Sequence, residues 1–334
     1  MSPKSLDQSV FVISLDFELY WGVRDKRRIE DYSDNLLGVR KVVPALLELF
    51  SRYDTKATWA TVGFLFCKDK EELLASFPGV KPEYADSKLS PYLDMDKVGN
   101  SEADDLYHFG YSLVKMIQAY PEQEIATHTY SHYYCLERGQ TAESFRHDLM
   151  AAIKIARKNR VELKSLVFPR NQYNKDYTKI CGSLGITSYR GNELSWIYKE
   201  RNEEQQALYK RGARLLDAYI TLSGYNSYSL TEIGKSFPYN IPASRFLRPY
   251  SHKLKFLDSL RLKRILNDMT YAAKNKKLFH LWWHPHNFGI NLTENLNFLE
   301  KILQHYLTLQ KKYGMQSMTM EKVAELLMNS SNEK

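Results

Sequence analysis

Asp16 and Glu18 close an apolar run, residues 10–15, and stand two residues apart. In a strand such a pair projects from one side. Two carboxylates at the end of a buried strand are costly unless a cation or hydrogen-bond donors meet them. A metal would satisfy them, and so would a helix cap or an ion pair. A second group follows residues 124–127: His128 and His132, in the order His-Thr-Tyr-Ser-His, in a chain with nine histidines. Imidazoles four apart converge on one ion if the segment coils through a turn. With one acid of the first pair they make a carboxylate and two imidazoles. That set suits one divalent ion, zinc first, with cobalt, nickel or manganese as alternatives. The other acid is then free to act as a base. Arg170, in Phe-Pro-Arg-Asn-Gln-Tyr after another apolar run, can orient a catalytic carboxylate and hold it ionised. The last group is Leu-Phe-His-Leu-Trp-Trp-His-Pro-His, residues 278–286. It reads as a pocket wall, with Trp283 and His286 toward substrate and His284, at the strand terminus, as the titratable imidazole. His280 and His286 would also fit a local hydrogen-bonding role.

These groups need strand ends to bring them together. Apolar, β-branched runs predict strands near 10–16, 55–61, 124–128, 164–169, 186–189, 278–284 and 315–318. Helical periodicity appears over 36–53, 103–120, 142–158, 175–184, 257–274, 293–313 and 320–328. Seven strands alternating with helices predict an α/β fold with a mostly parallel sheet, open or closed into a barrel. In parallel folds, catalytic groups gather at the C-terminal strand ends. A single domain over 1–334, with a core of about 10–325, is expected. The alternation fails over 68–100 and 191–251, and interruptions of that length are usually functional insertions. The second should cover the substrate, with Trp196 and the rings of Tyr198, Tyr209, Tyr219, Tyr225, Tyr228 and Tyr239 stacking on it. A dimer contact is the alternative for that segment.

Composition narrows the classes. At 334 residues, with 43% hydrophobic and 26% charged, the chain is neither disordered nor fibrous. No run approaches the ~20 apolar residues of a membrane span, and the first apolar run leads into acids rather than a signal-peptide cleavage site. Three scattered cysteines build no disulfide framework. A cytoplasmic protein is expected, at the inner face of the membrane in one reading. The net charge of +8 clusters only at 24–28 and 253–277. No nucleic-acid motif accompanies it, so a nucleic-acid partner is not expected. The second cluster alternates lysines and arginines with Leu254, Leu257, Leu260, Ile265 and Met269, which allows peripheral membrane contact. A barrel helix with a solvated basic face is the plainer alternative.

In order and spacing the four groups resemble the motifs of the polysaccharide deacetylases, carbohydrate esterase family 4. Leu15-Asp16-Phe17-Glu18 is similar to the D-x-D/E form of the first motif. His128 to His132 matches H-x-x-x-H, Arg170-Asn171-Gln172-Tyr173 matches R-x-P-Y with glutamine for proline, and His284-Pro285 matches the last. Lys56-Ala57-Thr58-Trp59 looks like the second strand, and Arg190-Gly191-Asn192-Glu193 with Trp196 is a loose fourth motif. Met269–Lys274 followed by His280–His284 resembles a bacterial branch tied to surface-polysaccharide and O-antigen biosynthesis. The resemblance implies a distorted seven-stranded (β/α) barrel of the polysaccharide deacetylase type with insertions. It implies Asp16 as base oriented by Arg170, Glu18, His128 and His132 as metal ligands, and His284 as acid. It gives the oxyanion to the Tyr173 N–H, and contacts to a carbohydrate substrate to Trp59, Trp196, Trp283 and His286. The expected activity is hydrolysis of a linear amide: removal of an N-acyl group from an amino sugar, phosphate-linked through a nucleotide or lipid carrier. A same-fold C–N hydrolase on a non-sugar amide and a non-catalytic glycan-binding barrel are the alternatives.

Overall fold

The computed structural model describes residues 6–195, 198 and 208–331. Nine strands make one sheet whose ladders are all parallel. They are β1 (Val10–Phe17), β2 (Ala57–Thr61), β3 (Glu124–Thr127), β4 (Ser165–Val167), β5 (Ser188–Arg190), β6 (Tyr239–Asn240), β7 (Arg245–Phe246), β8 (Leu278–Trp283) and β9 (Gln316–Ser317). The spatial order is β6-β5-β4-β3-β2-β1-β8-β7, with β9 also on β1. All seven expected strands are present, and the two additional ones come from 191–251. The stretch 239–247 bridges the two edges. Ile241 N and Ala243 N donate to Tyr189 O and Gly191 O beside β5, whereas Ser244 N and Leu247 N donate to His280 O and Trp282 O of β8. The far end of the supposed insertion is therefore barrel wall.

The helices are α1 (Ile29–Arg52), α2 (Lys70–Ala75), α3 (Tyr111–Gln118), α4 (Ala142–Lys158), α5 (Tyr177–Ser183), α6 (Leu208–Asp217), α7 (Leu230–Ile233), α8 (Asp258–Lys274), α9 (Leu292–Tyr313) and α10 (Met320–Ser331). Parallel strands buried on both faces read as continuous apolar runs, and all eight residues of β1 are buried. The outward side, Phe11, Ile13, Leu15 and Phe17, joins a large core with apolar residues of α1, α3, α4, α8 and α9. The inward side, Val10 and Val12, joins a smaller one with Ala60, Val167, Leu278 and the apolar residues of α10. α10 thus plugs the N-terminal end of the barrel, where Met320 N donates to Thr58 Oγ1 and Glu321 N to Glu124 Oε2.

Segment 68–100 holds α2 and short 3-10 turns and braces the loop after β3: Tyr134 N donates to the Tyr84 hydroxyl at 2.8 Å. On the apolar side of 253–277, Ile265 and Met269 are buried in the outer core. That leaves Leu260 and Phe256 as its exposed apolar side chains. Among the described residues no helix is long and apolar enough to cross a membrane.

Candidate metal centre and active site

β1 ends by turning sharply. Glu18 is followed by Leu19 at φ 47° and a 3-10 turn, Leu19–Gly22, that folds under the Glu18 carboxylate. A Cβ on Gly22 would lie 1.9 Å from Glu18 Cδ, so any larger residue there would displace the carboxylate from this position. The loop after β3 coils as its spacing requires, with Thr129 at φ 64° and His132 at φ 58°. Left-handed backbone at non-glycine residues is costly, so the surroundings must enforce it. Asp148 of α4 does much of this, accepting from Tyr130 N at 2.7 Å, Ser131 N at 3.2 Å and the Ser131 hydroxyl. Burial pushes the Asp148 carboxyl up to about 6 against these donors.

The coiled loop places His128 Nε2 at 3.3 Å and His132 Nε2 at 3.2 Å from Glu18 Oε2. Among the described residues, these three form the group of His, Cys, Asp and Glu whose ligand atoms lie within 4.8 Å of one another. All are at most 3% exposed. Ligands of a tetrahedral ion at about 2.0–2.1 Å stand about 3.3–3.4 Å apart, so the spacing fits a metal. The hydrogen bonding fits too. His128 Nδ1 lies 2.9 Å from Val167 O, which puts the proton there and leaves a lone pair on Nε2, an atom without a hydrogen-bond partner. Metal-binding imidazoles are oriented in this way. Burial would raise the Glu18 carboxyl, but His284 with His128 and His132 holds it well below the ordinary range. Burial drives His132 down to about 4, leaving a neutral imidazole able to ligate.

Asp16 lies beside this group, held by a guanidinium. Nη1 and Nη2 of Arg190, from β5, donate to its two oxygens at 2.6 and 2.8 Å. Burial would raise the carboxyl, and Arg190, aided by His128 and His284, outweighs it and keeps it below the usual value. The expected orienting residue was Arg170, and here the structure corrects the sequence. Pro169–Asn171 forms a turn with Arg170 and Asn171 at φ 54° and 53°. It directs Arg170 onto Asp25 and over the Tyr134 ring. Asn171 Oδ1 instead accepts from Arg190 at 3.0 Å. Tyr173 stacks on Tyr189 with ring centroids 5.2 Å apart.

On the other side, His284 Nε2 lies 3.6 Å from Asp16 Oδ2 and 3.8 Å from Glu18 Oε1. Its side chain is 24% exposed and so reaches the opening. His286 stacks on it at 5.0 Å and brings Nδ1 to 3.7 Å from Glu18 Oε1. Burial lowers that imidazole to about 4. The His-Pro turn is fixed by backbone-to-backbone packing on α1. A Cβ on Gly38 would meet Gly289 O at 2.1 Å, and Asn35 Nδ2 donates to His286 O.

Two of the expected substrate contacts, Trp59 and Trp283, do not reach this opening. Trp59 and Trp283 pair with Leu15 in the ladder and therefore share its outward face. Both are fully buried in the outer core, and the Trp59 Nε1–H donates to Gln123. Trp282, one residue earlier, faces inward beneath the Arg190 guanidinium at 4.2 Å. Trp196 lies outside the described residues. Tyr228 and Tyr239 belong to the inner core, and Tyr225 stacks on Tyr271. Tyr228 and Tyr239 are framework rather than stacking platforms, whereas Tyr225 keeps an exposed ring.

The arrangement is an ionised carboxylate, a facing imidazole and a Glu-His-His group able to hold a metal ion, at the C-terminal ends of parallel strands. Residues 31–189 match the polysaccharide deacetylase family model. That span contains His128, His132 and Arg170, and both Asp16 and His284 lie outside it. The fold is that of the deacetylase (β/α) barrel. A structure described as a polysaccharide deacetylase from Mycobacterium smegmatis superposes with a TM-score of 0.60 at 13% identity, over 99% of this chain and 95% of that one. Another so described, from Pseudomonas aeruginosa PAO1, gives 0.52 at 12% identity over 95% and 89%. The Puue allantoinase gives 0.50 at 11% over 95% and 88%. No curated protein matches the chain.

Proposed function

We propose that the protein is a metal-dependent hydrolase of linear amides that removes an acyl group, most simply acetyl, from the nitrogen of an amino sugar. The observation that carries this reading is the Arg190-held Asp16 carboxylate set between His284 and the Glu18, His128 and His132 group. A divalent ion on those three ligands, zinc by donor type, would supply Lewis-acid polarisation of the acyl carbonyl and a lowered pKa for water. Asp16, kept ionised, accepts the proton of the attacking water. His284, at the opening, gives a proton to the departing amine, which leaves poorly without one. The backbone N–H of Tyr173 is our candidate donor to the oxyanion. His286 backs the ring of His284 and lines the opening.

The substrate we favour is a nucleotide- or lipid-linked sugar of bacterial surface-polysaccharide assembly, whose phosphates a chain of net charge +8 attracts. Membrane contact is assigned to Phe256 and Leu260, exposed beside Lys253 and Lys255. Three buried, unpaired cysteines support a reducing, cytoplasmic setting. A glycan-binding barrel without catalysis would have no need of base, acid and ligands together. The test is acetate release from a panel of N-acetylated sugars, free and phosphate-linked, with metal content measured in parallel. Stoichiometric metal with release confined to non-sugar amides would move the assignment to another C–N hydrolase; no metal and no release would overturn it.

A further inference from the structure

Below Asp16 lies a chain of buried polar groups that the proposed hydrolysis leaves unused. Arg190 Nη1, besides its bond to Asp16, donates to Ser14 Oγ at 2.9 Å. Ser14 Oγ is 2.8 Å from His280 Nε2, and His280 Nδ1 is 3.1 Å from Ile241 O. Ser14 and His280 are fully buried. We infer that Ser14 and His280 are positioning residues, a relay across the barrel interior that anchors the Arg190 guanidinium to the Ile241 carbonyl and so fixes the base. This rests on the reading of Asp16 as the general base.

The directions in the relay are determined by what each group can do. A guanidinium only donates, so Ser14 Oγ accepts from Arg190 and its own proton points to His280 Nε2. An imidazole accepting at Nε2 carries its proton on Nδ1, where the Ile241 carbonyl receives it. The imidazole must be neutral throughout. Burial and the nearby Arg190 charge agree, lowering it to about 3. An apolar pair would fill this space without the cost of burying a hydroxyl and an imidazole, as Val10, Val12 and Ala60 do nearby. The other sides of the guanidinium are already held, by the Trp282 ring and by Asn171 Oδ1. Ser14 gives Nη1 its second acceptor, so both terminal nitrogens are held and the Nε–H alone has no partner. Ile241 lies in the stretch bridging β5 and β8, so the closing wall of the barrel reaches the base through this relay.

The test uses the metal-loaded full chain and the variants Ser14→Ala and Ser14→Thr. In the wild type, long-range ¹⁵N–¹H spectra should show His280 as the neutral Nδ1–H tautomer. The Arg190 Nη protons should give separate signals, as in a guanidinium that does not rotate. Ser14→Ala should merge those signals and lower kcat ~10- to 100-fold, the scale expected when a reacting group is displaced. The probe is acetate release from tri-N-acetylchitotriose, with KM within twofold and metal content unchanged. Ser14→Thr, which keeps the hydroxyl, should restore both signals and rate. An Nε2–H tautomer, or a guanidinium equally immobile in Ser14→Ala, overturns the relay. So does a loosened guanidinium with unchanged kcat. Absence of acetate release from the wild type would count against the deacetylase reading alone, because the two spectra decide the relay without substrate.

Discussion

Along β1 and β8 the two faces of the same strands bury equally and hold different things. Facing outward are Phe11, Ile13, Leu15, Phe17, Phe279, Leu281 and Trp283, every one apolar and packed in the outer core. Facing inward, the character changes along the strand: Val10 and Val12 give way to Ser14 and Asp16, and Leu278 to His280, Trp282 and His284. The outward face contributes burial, worth roughly 25 cal/mol per Å² of apolar surface, and carries no chemistry. The inward face gives up part of that contribution to hold charges at the C-terminal strand ends. Stability and reactivity are thus separated by a single step in the chain, since neighbours on a strand point to opposite sides.

The largest expected effect lies at the top of the inward face. Asp16→Asn should leave metal content intact and reduce turnover by about 10²–10⁴, the usual worth of general-base assistance. Near-normal turnover with full metal would mean that the inward carboxylate is not the base. Next comes the turn beneath Glu18. Gly22→Ala puts a methyl where the Glu18 carboxylate now sits. Metal affinity measured by competition with a chromogenic chelator should fall by at least the ~10- to 100-fold that loss of a ligand-orienting contact brings. Unchanged affinity would show that Glu18 has another place to go.

The adjacent tryptophans test the comparison directly. Trp283→Ala should cost about 3–5 kcal/mol of stability, as large-to-small changes in a packed core do, with KM and kcat per folded molecule nearly unchanged. Trp282→Ala should lower kcat by freeing the face of Arg190. Equal kinetic damage from both would abolish the distinction between faces.

The same alternation explains what could be read from the chain. Asp16, Glu18, His128 and His284 were legible because each sits at the end of an apolar run, and His132 by its spacing from His128; the structure brings all five together. Trp59 and Trp283 were misplaced although the pattern held the answer: Trp282, two residues from both His280 and His284, had to share their side. Arg190 was visible as part of a loose acidic motif, but nothing local marked its guanidinium as the partner of Asp16. Arg170 follows β4 and Arg190 ends β5; the turn with Arg170 and Asn171 at positive φ sends Arg170 to Asp25, and Arg190 meets Asp16. Strands β6 and β7 were missed because each is two residues long and lies where the alternation of strands and helices fails, whereas the equally short β9 falls between two periodic helices. The position of β6 and β7 depends on the β5 and β8 edges they bond. The glycine under Glu18 and the Asp148 clamp were equally silent, since each acts through a contact with a distant or strained segment.

The smallest effect is expected at the opposite end of the inward face, where a carboxylate serves structure alone. Glu124, at the start of β3, is buried; Oε2 accepts from the Thr58 hydroxyl at 2.7 Å and from Glu321 N at 3.1 Å, and Oε1 has no partner. Burial raises its carboxyl to about 7, against the donors from Thr58 and Glu321. The folded chain therefore binds this proton more tightly than the unfolded chain, whose glutamates titrate near 4.3. Stability from this group is complete below the unfolded value and declines as pH rises through about 7, by at most roughly 4 kcal/mol. Glu124→Gln keeps an acceptor for Thr58 and the α10 N-terminus without a charge to bury. Its melting temperature should match wild type near pH 4.5 and exceed it at pH 8, with activity unaltered at both. Identical pH profiles of melting for the two proteins would mean that Glu124 titrates in the barrel as it does in the unfolded chain, with water reaching it through the α10 plug.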